Sequence, residues 1–473
     1  MTITIHVGDC RKVLKTLDAG SVQCVVTSPP YWGLRDYGLP PLIWGGDEDC
    51  QHLWGEELSH SKGTGGHNPK QDSNVGSWQE DGTTSGSFCH HCAAWRGSLG
   101  LEPTMELYVE HLVEIFREVR RVLCSDGVAF VNLGDSYASA FSCARRNVIG
   151  EGSPSSDVDR PNRLVNGLKE KDLCGVPWRV AFALQADGWW LRSDIIWAKP
   201  NPMPESVTDR PTKAHEYVFL LSKSARYFYD ADAVREPVKP ESVVRCRAGF
   251  MGNDPERDAA NNYGDGFMRG EGYELSGRNR RTVWTIATSP FPDAHFATFP
   301  PALVEPCVKA GTSEKGCCPA CGAPWERVVE KSRSFESGSG RSGNMPTGKN
   351  GPALQGGGET LDIRRGPVVH TDTIGWRPGC SCGEDVDSGA LDPNTGAGID
   401  VRKPYDPVPC TVLDPFGGAG TVGLVADRLQ RDAILIELNE SYARMSEERI
   451  KKDAPMFVDV RVSVSEVAST KAA

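Results

Sequence analysis

The chain of 473 residues exceeds the usual length of one domain and can bury a sizeable core. Its composition, with 24% charged residues and no long apolar run, excludes a disordered chain and predicts no membrane-spanning segment. The formal net charge of −11 argues against a protein that coats nucleic acid without specificity, but it allows a local basic cleft. The N-terminus has no basic region followed by an apolar core, so we expect a cytoplasmic protein whose 16 cysteines are reduced.

The first predicted elements form a β-α-β unit. A β-branched strand over 2–7 precedes a helix over 10–17, and a continuous apolar run over 22–27 is typical of a strand covered on both faces. Strands and helices continue to alternate, which predicts an α/β fold with a mostly parallel, doubly wound sheet. The later predicted elements are helices after Thr104, over 178–186 and after 437, and strands over 128–133, 190–197, 217–222, 411–413 and 433–436.

The run 27–32, Thr-Ser-Pro-Pro-Tyr-Trp, directly follows a predicted buried strand. An exocyclic amino group of cytosine or adenine is a poor nucleophile, because its lone pair is delocalised, and fixed hydrogen-bond acceptors would localise that pair. Ser28 and the carbonyl of Pro29 supply acceptors, the two prolines fix the turn, and Tyr31 can stack on a base turned out of a duplex. A proline-rich turn without chemistry is the alternative. The candidate catalytic residues are Ser28, Pro29, Pro30 and Tyr31.

A glycine-rich turn near the C-terminus joins a predicted strand to a helix, and a second strand ends in Glu437. Glycines let the backbone approach a ligand closely, and an acid at that strand end can accept both hydroxyls of a ribose. The glycine spacing does not fit a dinucleotide and suits a nucleoside without pyrophosphate, such as S-adenosylmethionine. A tight turn without a ligand is the alternative. The candidate cofactor residues here are Asp414, Pro415, Phe416, Gly418, Gly420, Thr421 and Glu437.

Together these two motifs resemble those of the β class of DNA amino-methyltransferases, in which the catalytic motif precedes the cofactor motif as it does here. The resemblance extends to Gly8-Asp9 and to the segments 195–201, 215–219 and 295–300. It implies a Rossmann-like methyltransferase fold with circularly permuted motif order, S-adenosylmethionine as methyl donor and double-stranded DNA as substrate. Further candidate cofactor contacts are Asp9, Thr27, Phe299 and Pro300.

The serine before the two prolines favours cytosine N4 as the target, because members acting on adenine N6 more often carry Asp or Asn there. A hydroxyl is a weak acceptor, so we expect the amino nitrogen to attack the methyl group directly, without a cysteine nucleophile. Adenine N6 is the first alternative. A methyltransferase of RNA or of a protein amide is disfavoured by the motif order, and a non-catalytic zinc-bearing DNA-binding protein by the intact motifs.

Two cysteine clusters have the spacing of structural zinc ribbons, each with two close pairs of soft ligands. A metal clip can hold a Gly/Ser-rich loop that cannot anchor itself by burial. Unligated thiols in ordinary loops are the alternative. The candidate ligands are Cys50, His52, Cys89 and Cys92 in the first cluster and Cys318, Cys321, Cys380 and Cys382 in the second, with His90, His91, Cys317 and His370 as competitors.

An arginine-bearing segment over 235–281, with interleaved aromatic residues, lies where β-class enzymes carry a target-recognition region. Arginine can bind guanine edges and phosphates, although the segment also holds about as many acids, and a polar loop is the alternative. The candidate DNA-binding residues are Arg245, Arg247, Arg278, Arg280 and Arg281.

The motifs predict a discontinuous domain plan. Because ligands bind beyond the carboxyl ends of parallel strands, the strands over 22–27 and 411–413 should be parallel neighbours or near neighbours that deliver both motifs to one edge. We predict a catalytic half over 1–37 and 105–232, an insertion with the first cluster over 38–104, a target-recognition region over 233–285, a cofactor-binding half over 286–312 and 408–455, an insertion with the second cluster and a linker over 313–407, and a tail over 456–473.

Overall fold

The structure is a computed structural model, and its chain divides into two compact units. The first unit comprises Met1–Tyr229, Thr282–Pro324 and Cys380–Ala473, and the second comprises Asp230–Arg281 and Trp325–Gly379. The residues that the structure describes are 1–33, 39–56, 59–60, 83–84, 86–138, 168–169, 171–237, 273–274, 277–289, 298–334, 368–391, 398–454 and 458–464.

The elements are numbered here in chain order. The helices are α1 (Cys10–Thr16), α2 (Met105–Val122), α3 (Val176–Ala186), α4 (Pro301–Gly311), α5 (Thr421–Arg428) and α6 (Glu440–Asp453). The strands are β1 (Thr2–Val7), β2 (Val22–Thr27), β3 (Leu42–Trp44), β4 (Ser59–His60), β5 (Thr83–Thr84), β6 (Ser87–Phe88), β7 (Trp95–Gly97), β8 (Leu123–Leu133), β9 (Trp190–Ala198), β10 (His215–Ser222), β11 (Tyr273–Glu274), β12 (Val283–Thr285), β13 (Trp325–Ser334), β14 (Val368–Pro378), β15 (Gly383–Leu391), β16 (Gly398–Pro404), β17 (Thr411–Asp414), β18 (Asp432–Glu437) and β19 (Asp459–Val464).

A nine-stranded sheet forms the centre of the first unit, in the order β12-β9-β10-β8-β2-β17-β18-β1-β19. Among the described strands of this sheet, only β10 runs antiparallel to its neighbours, β8 and β9. The motif-bearing strands β2 and β17 are parallel neighbours, with Cα partners Val412↔Cys24 and Leu413↔Val25. The predicted α/β fold with a mostly parallel sheet is therefore confirmed, and so is the adjacency of the two motif-bearing strands.

Helices cover both faces of the sheet, which explains why β2 is buried along its whole length. On one face Cys24 lies against α4, since a Cβ on Gly311 would be 2.5 Å from the Cys24 sulfur. On the other face Val25 belongs to a core that includes residues of α1, α2 and α3. The predicted cap of α2 is present, because the Thr104 hydroxyl accepts a hydrogen bond from the Leu107 amide at 3.2 Å.

Strand β8 differs from its predicted range of 128–133. It begins at Leu123, immediately after α2, and runs through Gly127. The reason is packing: Leu123 is buried and pairs with Val22 at the start of β2, so the turn expected at Gly127 is part of the strand. The extra residues lengthen β8 beside the amino end of β2, which is the end away from the Ser-Pro-Pro-Tyr motif.

The second unit contains a three-stranded sheet in the order β11-β14-β13. Its ion pair between Arg327 and the buried Asp230 is 3.0 Å long. The predicted domain boundaries stay predictions. Within the part of the chain that the structure describes, no helix combines the length and apolar composition needed to cross a membrane.

Candidate active site

The carboxyl ends of β2 and β17 bring the two predicted motifs to the same edge of the sheet. The Thr27 hydroxyl at the end of β2 donates a hydrogen bond of 2.6 Å to Asp414 Oδ1 at the end of β17. The same oxygen accepts the Phe416 amide at 3.0 Å, which shapes the start of the glycine-rich turn. Asp414 is only 1% exposed, and burial raises its pKa to about 7. This buried carboxyl group therefore joins the two motifs.

The glycine-rich turn is bonded to Glu437, at the end of the next strand. One Glu437 oxygen accepts the Gly418 amide at 2.8 Å, and the other accepts the Asn439 amide at 2.8 Å. Burial raises the pKa of Glu437. A carboxylate has about four lone-pair sites, so this one retains acceptors for two ribose hydroxyls. The free acceptor sites of Glu437 and the glycine backbone beside them fit the nucleoside of S-adenosylmethionine.

Gly420 has a role in packing as well as its predicted role in the cofactor site. Its φ of +71° lies in the left-handed region, and a Cβ there would be 2.8 Å from Ser446 Cβ on α6. Next to it, the Thr421 hydroxyl accepts a hydrogen bond from Arg449 at 3.0 Å. The turn residues Pro415, Phe416 and Gly418 lie at the same strand end. Their cofactor contacts stay predictions.

Asp9 lies beside this site but already has a charged partner. Its carboxylate caps α1 through the Arg11 amide at 3.0 Å, and the Arg11 guanidinium forms an ion pair with it at 2.7 Å. The adjacent Gly8 amide donates to the carbonyl of Glu437 at 2.9 Å. The predicted contact between Asp9 and the cofactor stays a prediction, and the structure shows that the Asp9 carboxylate is also paired with Arg11.

Phe299 and Pro300 precede α4 and line a cavity of about 440 Å³. Leu424 and Arg428 of α5 and Arg449 of α6 contribute other parts of its wall. Residues 290–297, which include the first half of the family-like segment 295–300, lie outside the described residues. The cofactor role of Phe299 and Pro300 therefore stays a prediction.

A hydrogen-bonded cluster surrounds the Ser-Pro-Pro-Tyr motif. Ser28 Oγ donates to the Tyr31 hydroxyl at 3.2 Å, and that hydroxyl donates to Glu216 Oε2 at 2.9 Å. Asn132 Nδ2 donates to the Tyr31 hydroxyl at 2.7 Å, and Lys199 forms an ion pair with Glu216. These contacts hold the hydroxyl of Tyr31 in a fixed position.

The topology explains how three separate segments reach this cluster. Asn132 lies near the carboxyl end of β8, which neighbours β2, and Lys199 follows β9. Because β10 runs antiparallel, its first residues, including Glu216, lie at the same edge as the carboxyl ends of the other strands. Asn132 Oδ1 is buried and has no hydrogen-bond partner among the described residues.

The sequence did not identify Asn132, Lys199 and Glu216 as site residues. The segments 195–201 and 215–219, which hold Lys199 and Glu216, resembled family motifs, so a signal for these two was present without a role. Asn132 follows an apolar run that carries no chemical signature, and only the order of the strands places it here.

Both predicted metal clusters are assembled within the first unit. The ligand atoms of each set lie within 4.8 Å of one another. In the first set Cys92 Sγ is 3.4 Å from His52 Nδ1, and backbone hydrogen bonds lower the pKa of Cys92. Three sulfurs with one imidazole, or four sulfurs, suit tetrahedral Zn²⁺. The two sets are Cys50, His52, Cys89 and Cys92, and Cys318, Cys321, Cys380 and Cys382.

The second cluster lies at the sheet edge opposite Ser28. The carbonyl of Gly322, beside Cys321, accepts a hydrogen bond from Gln23 Nε2 at 3.2 Å. Gln23 belongs to the start of β2, and its own Oε1 accepts the Thr411 amide, at the start of β17, at 2.7 Å. This cluster therefore contacts the amino ends of the strands whose carboxyl ends carry the motifs.

The predicted DNA-binding arginines are only partly described. Arg278 and Arg281 both form ion pairs with Glu236, at 3.0 and 3.1 Å, within the second unit. Arg280 lies between them, whereas Arg245 and Arg247 lie outside the described residues. Their role in DNA binding stays a prediction.

A mostly parallel sheet that brings a Ser-Pro-Pro-Tyr loop and a glycine-rich turn to one edge is the arrangement of an S-adenosylmethionine-dependent amino-methyltransferase. The sequence matches the DNA methylase family over residues 22–318 and 410–448, and the chain belongs to that family. The predicted family and enzyme class are confirmed: this is a site-specific DNA methyltransferase that modifies an amino group.

Curated relatives support the same assignment. The chain is 39% identical to the Type II methyltransferase M.Cfr9I of Citrobacter freundii, over 65% of this chain and 72% of that protein. It is 40% identical to M.XycI of Xanthomonas campestris pv. cyanopsidis, with the same two coverages. With M.SmaI of Serratia marcescens it shares 32% identity over 94% of this chain and 90% of that one. The match to M.SmaI shows that the similarity extends over nearly the whole chain.

Proposed function

We propose that the protein methylates N4 of cytosine and that Ser28 holds the target amino group. The residue type favours cytosine over adenine, and one observation carries the role of Ser28: it directs its own proton to the Tyr31 hydroxyl, 3.2 Å away. A long contact of 3.5 Å from Asn132 Nδ2 occupies at most one lone pair of Ser28 Oγ. At least one lone pair therefore remains to accept a hydrogen from the amino group of the base.

The carbonyl of Pro29 is the second acceptor in this proposal. The neighbouring carbonyl, that of Pro30, already accepts a hydrogen bond of 2.7 Å from the Tyr108 hydroxyl, which holds the turn in place. Pro29 itself has no N–H that could compete for the base. Two fixed acceptors localise the lone pair of the amino nitrogen and align it for attack.

S-adenosylmethionine, when bound, supplies the electrophilic methyl group. Ser28 and Pro29 would hold the amino nitrogen for attack on the methyl carbon; the carbon–sulfur bond would break with its electron pair left on the sulfur, and the extra proton of the amino group would leave to water after the transfer. A serine hydroxyl is too weak a base to remove this proton beforehand. We assign Glu216 a positioning role, because the Lys199 ammonium compensates its charge while it holds the Tyr31 hydroxyl.

For the cofactor, we assign the ribose to Glu437 and the close backbone approach to Gly418. This rests on the two amide hydrogen bonds of 2.8 Å that orient the carboxylate at the strand end. Asp414 acts through the turn: its hydrogen bonds with Thr27 and with the Phe416 amide connect the cofactor turn to the catalytic strand.

We propose double-stranded DNA as the substrate, with the target base turned out of the duplex to reach Tyr31, at a cost on the order of a few kcal/mol. Arg278, Arg280 and Arg281 are candidate phosphate or base contacts. Because Arg278 and Arg281 share Glu236, each would exchange a carboxylate partner for a phosphate on binding.

The target base can be tested directly. The purified protein is incubated with genomic DNA and S-adenosylmethionine, and the DNA is digested to nucleosides and analysed by mass spectrometry. We expect N4-methylcytosine; N6-methyladenine as the product would overturn the cytosine assignment. Ser28→Ala should lower the rate about a hundredfold, by analogy with other preorganised hydrogen-bonding groups, at unchanged cofactor affinity. The matched control is Ser21→Ala, whose hydroxyl bonds the Asp18 carbonyl just before the same strand.

We further propose that both cysteine clusters hold structural zinc. In each set the four ligands come from two pairs that are distant in the chain, so a bound ion would close the intervening loop. Elemental analysis of protein purified without chelator should give two zinc ions per chain, and Cys382→Ser should give one. Protein without zinc would contradict the proposal.

A further inference from the structure

The first cluster belongs to a small module that contacts the catalytic loop. We define the first clip as residues 39–56 and 86–104, and the catalytic loop as residues 28–33. We propose that metal binding at the first clip sets the position of the catalytic loop, and so controls the rate of methyl transfer without controlling cofactor binding. This inference rests on the proposed function of Ser28 and on zinc occupancy of the cluster.

The clip holds the far end of the catalytic loop through its backbone. The Trp32 indole N–H donates to the carbonyl of Glu102 at 3.0 Å, and the Gly33 amide donates to the carbonyl of Gly100 at 2.8 Å. The two segments approach so closely that a Cβ on Gly100 would be 3.1 Å from the carbonyl oxygen of Tyr31. A shift of the clip would therefore move the residues that follow Tyr31.

A buried pair fixes the segment of the clip that contacts the loop. Glu102 is 1% exposed, and its carboxylate accepts hydrogen bonds from the Gly100 amide at 2.8 Å and from His111 at 2.9 Å. The His111 ring is stacked with Trp44 and Trp95, at centroid distances of 4.3 and 5.4 Å. These tryptophans belong to β3 and β7 of the clip, so the sheet of the clip and the catalytic loop share one anchor on α2.

The metal ligands lie at the end of the same sheet. Cys89 directly follows β6, and its amide donates a hydrogen bond of 2.8 Å to the carbonyl of Ala94, just before β7, which closes the turn. On the other side, a Cβ on Gly46, just after β3, would be 2.8 Å from the Cys92 sulfur. The cluster therefore joins the ends of all three strands.

Trp44 and Trp95 hold one end of the clip against the core, whereas the ends of its strands that carry the metal ligands lie outside that core. The sheet of the clip consists of three strands of two or three residues, in the order β3-β7-β6. Such short strands bury too little apolar surface to be stable alone, and a bound metal ion is the usual substitute. Loss of the ion would free the chain between Trp44 and Trp95, which carries all four ligands, and would thereby loosen the segment after Trp95 whose carbonyls bind Trp32 and Gly33.

The second cluster provides a matched control within the same chain. It also offers four ligands, with a fourth thiol in place of the imidazole, but its Gly322 contacts Gln23 at the amino end of β2. Removing its metal should affect stability without moving the catalytic loop. A general effect of metal loss on folding can thus be separated from a specific effect on the loop.

The test compares two ligand variants, Cys50→Ser in the first cluster and Cys382→Ser in the second. For each we measure zinc content, the dissociation constant of S-adenosylmethionine by calorimetry and the single-turnover rate of methyl transfer at saturating cofactor. Both variants should lose one zinc ion and keep cofactor affinity within about twofold. We expect Cys50→Ser to slow transfer at least tenfold and Cys382→Ser to stay within about twofold of the wild type.

Two further variants separate the metal from its effect on the loop. His52→Cys keeps a zinc ligand and should retain both zinc and rate. Trp32→Phe removes the indole donor to Glu102 while leaving the cluster intact, so it should slow transfer with both zinc ions bound, even if Cys50→Ser fails to fold. Wild-type rates in Trp32→Phe, or equal losses of rate in Cys50→Ser and Cys382→Ser, would overturn the inference. The nucleoside analysis judges the target base separately, because these rate ratios do not depend on which base is methylated.

Discussion

Replacing Asp414 by Asn should remove a large pH dependence from the stability of the fold. Burial raises the pKa of Asp414 to about 7, against an ordinary value of 3.8. The folded state therefore holds this proton more tightly than the unfolded state, and the resulting stabilisation is fully present below the unfolded pKa and is lost as pH rises through 7. Between pH 5 and pH 8 the wild type should lose on the order of 2–3 kcal/mol of folding free energy through this group, which the asparagine variant cannot lose.

The assay is urea unfolding of both proteins at pH 5 and pH 8, followed by tryptophan fluorescence. Subtracting the two proteins cancels every other titrating group that the substitution leaves unchanged. Asparagine keeps an acceptor oxygen for Thr27 and for the Phe416 amide. Thr27→Val, which removes a donor but no titrating group, is the control and should keep the pH dependence. An equal change in the free energy of unfolding between pH 5 and pH 8 in the wild type and in Asp414→Asn would refute the reasoning.

Two further predictions concern the site itself. Tyr31→Phe keeps the ring but removes the hydroxyl that binds Glu216 and orients Ser28, so it should slow methyl transfer by about tenfold. Tyr31→Ala removes the ring as well and should slow methyl transfer further. Identical rates for the two variants would show that the ring has no role in methyl transfer. Glu437→Ala removes the proposed ribose acceptor and should weaken S-adenosylmethionine binding at least about tenfold by calorimetry, and an unchanged dissociation constant would contradict the assignment.

The sequence predicted the elements that carry the motifs with little error. The strand 22–27 was identifiable because a short continuous apolar run is typical of a strand buried on both faces, and β2 has those bounds. The adjacency of Ser28 and Asp414 followed from the rule that ligands bind at the carboxyl ends of parallel strands. Motif order and strand geometry together therefore located the site.

What the sequence did not predict depends on the order and direction of strands. Glu216 reaches the Tyr31 hydroxyl because β10 is antiparallel, and a run of apolar residues does not encode its direction. Similarly, the ion pair between Asp9 and Arg11 was not anticipated, although both residues stand at the start of one helix. Gly420 was explained by the ligand alone, whereas its contact with Ser446 comes from a helix placed by tertiary packing.

The order of strands also determines when the central sheet can be completed during synthesis of the chain. Among the described strands the first, β1, lies between the last two, β18 and β19, and the Thr27–Asp414 hydrogen bond joins residues 387 positions apart. Until the ribosome has released the C-terminal strands, β1 has neither of its neighbours and one edge of β2 is unpaired. Such late, non-local closure makes folding slow and exposes strand edges to aggregation. A nascent chain that stops before β17 can therefore contain the whole catalytic loop and still be unable to methylate DNA.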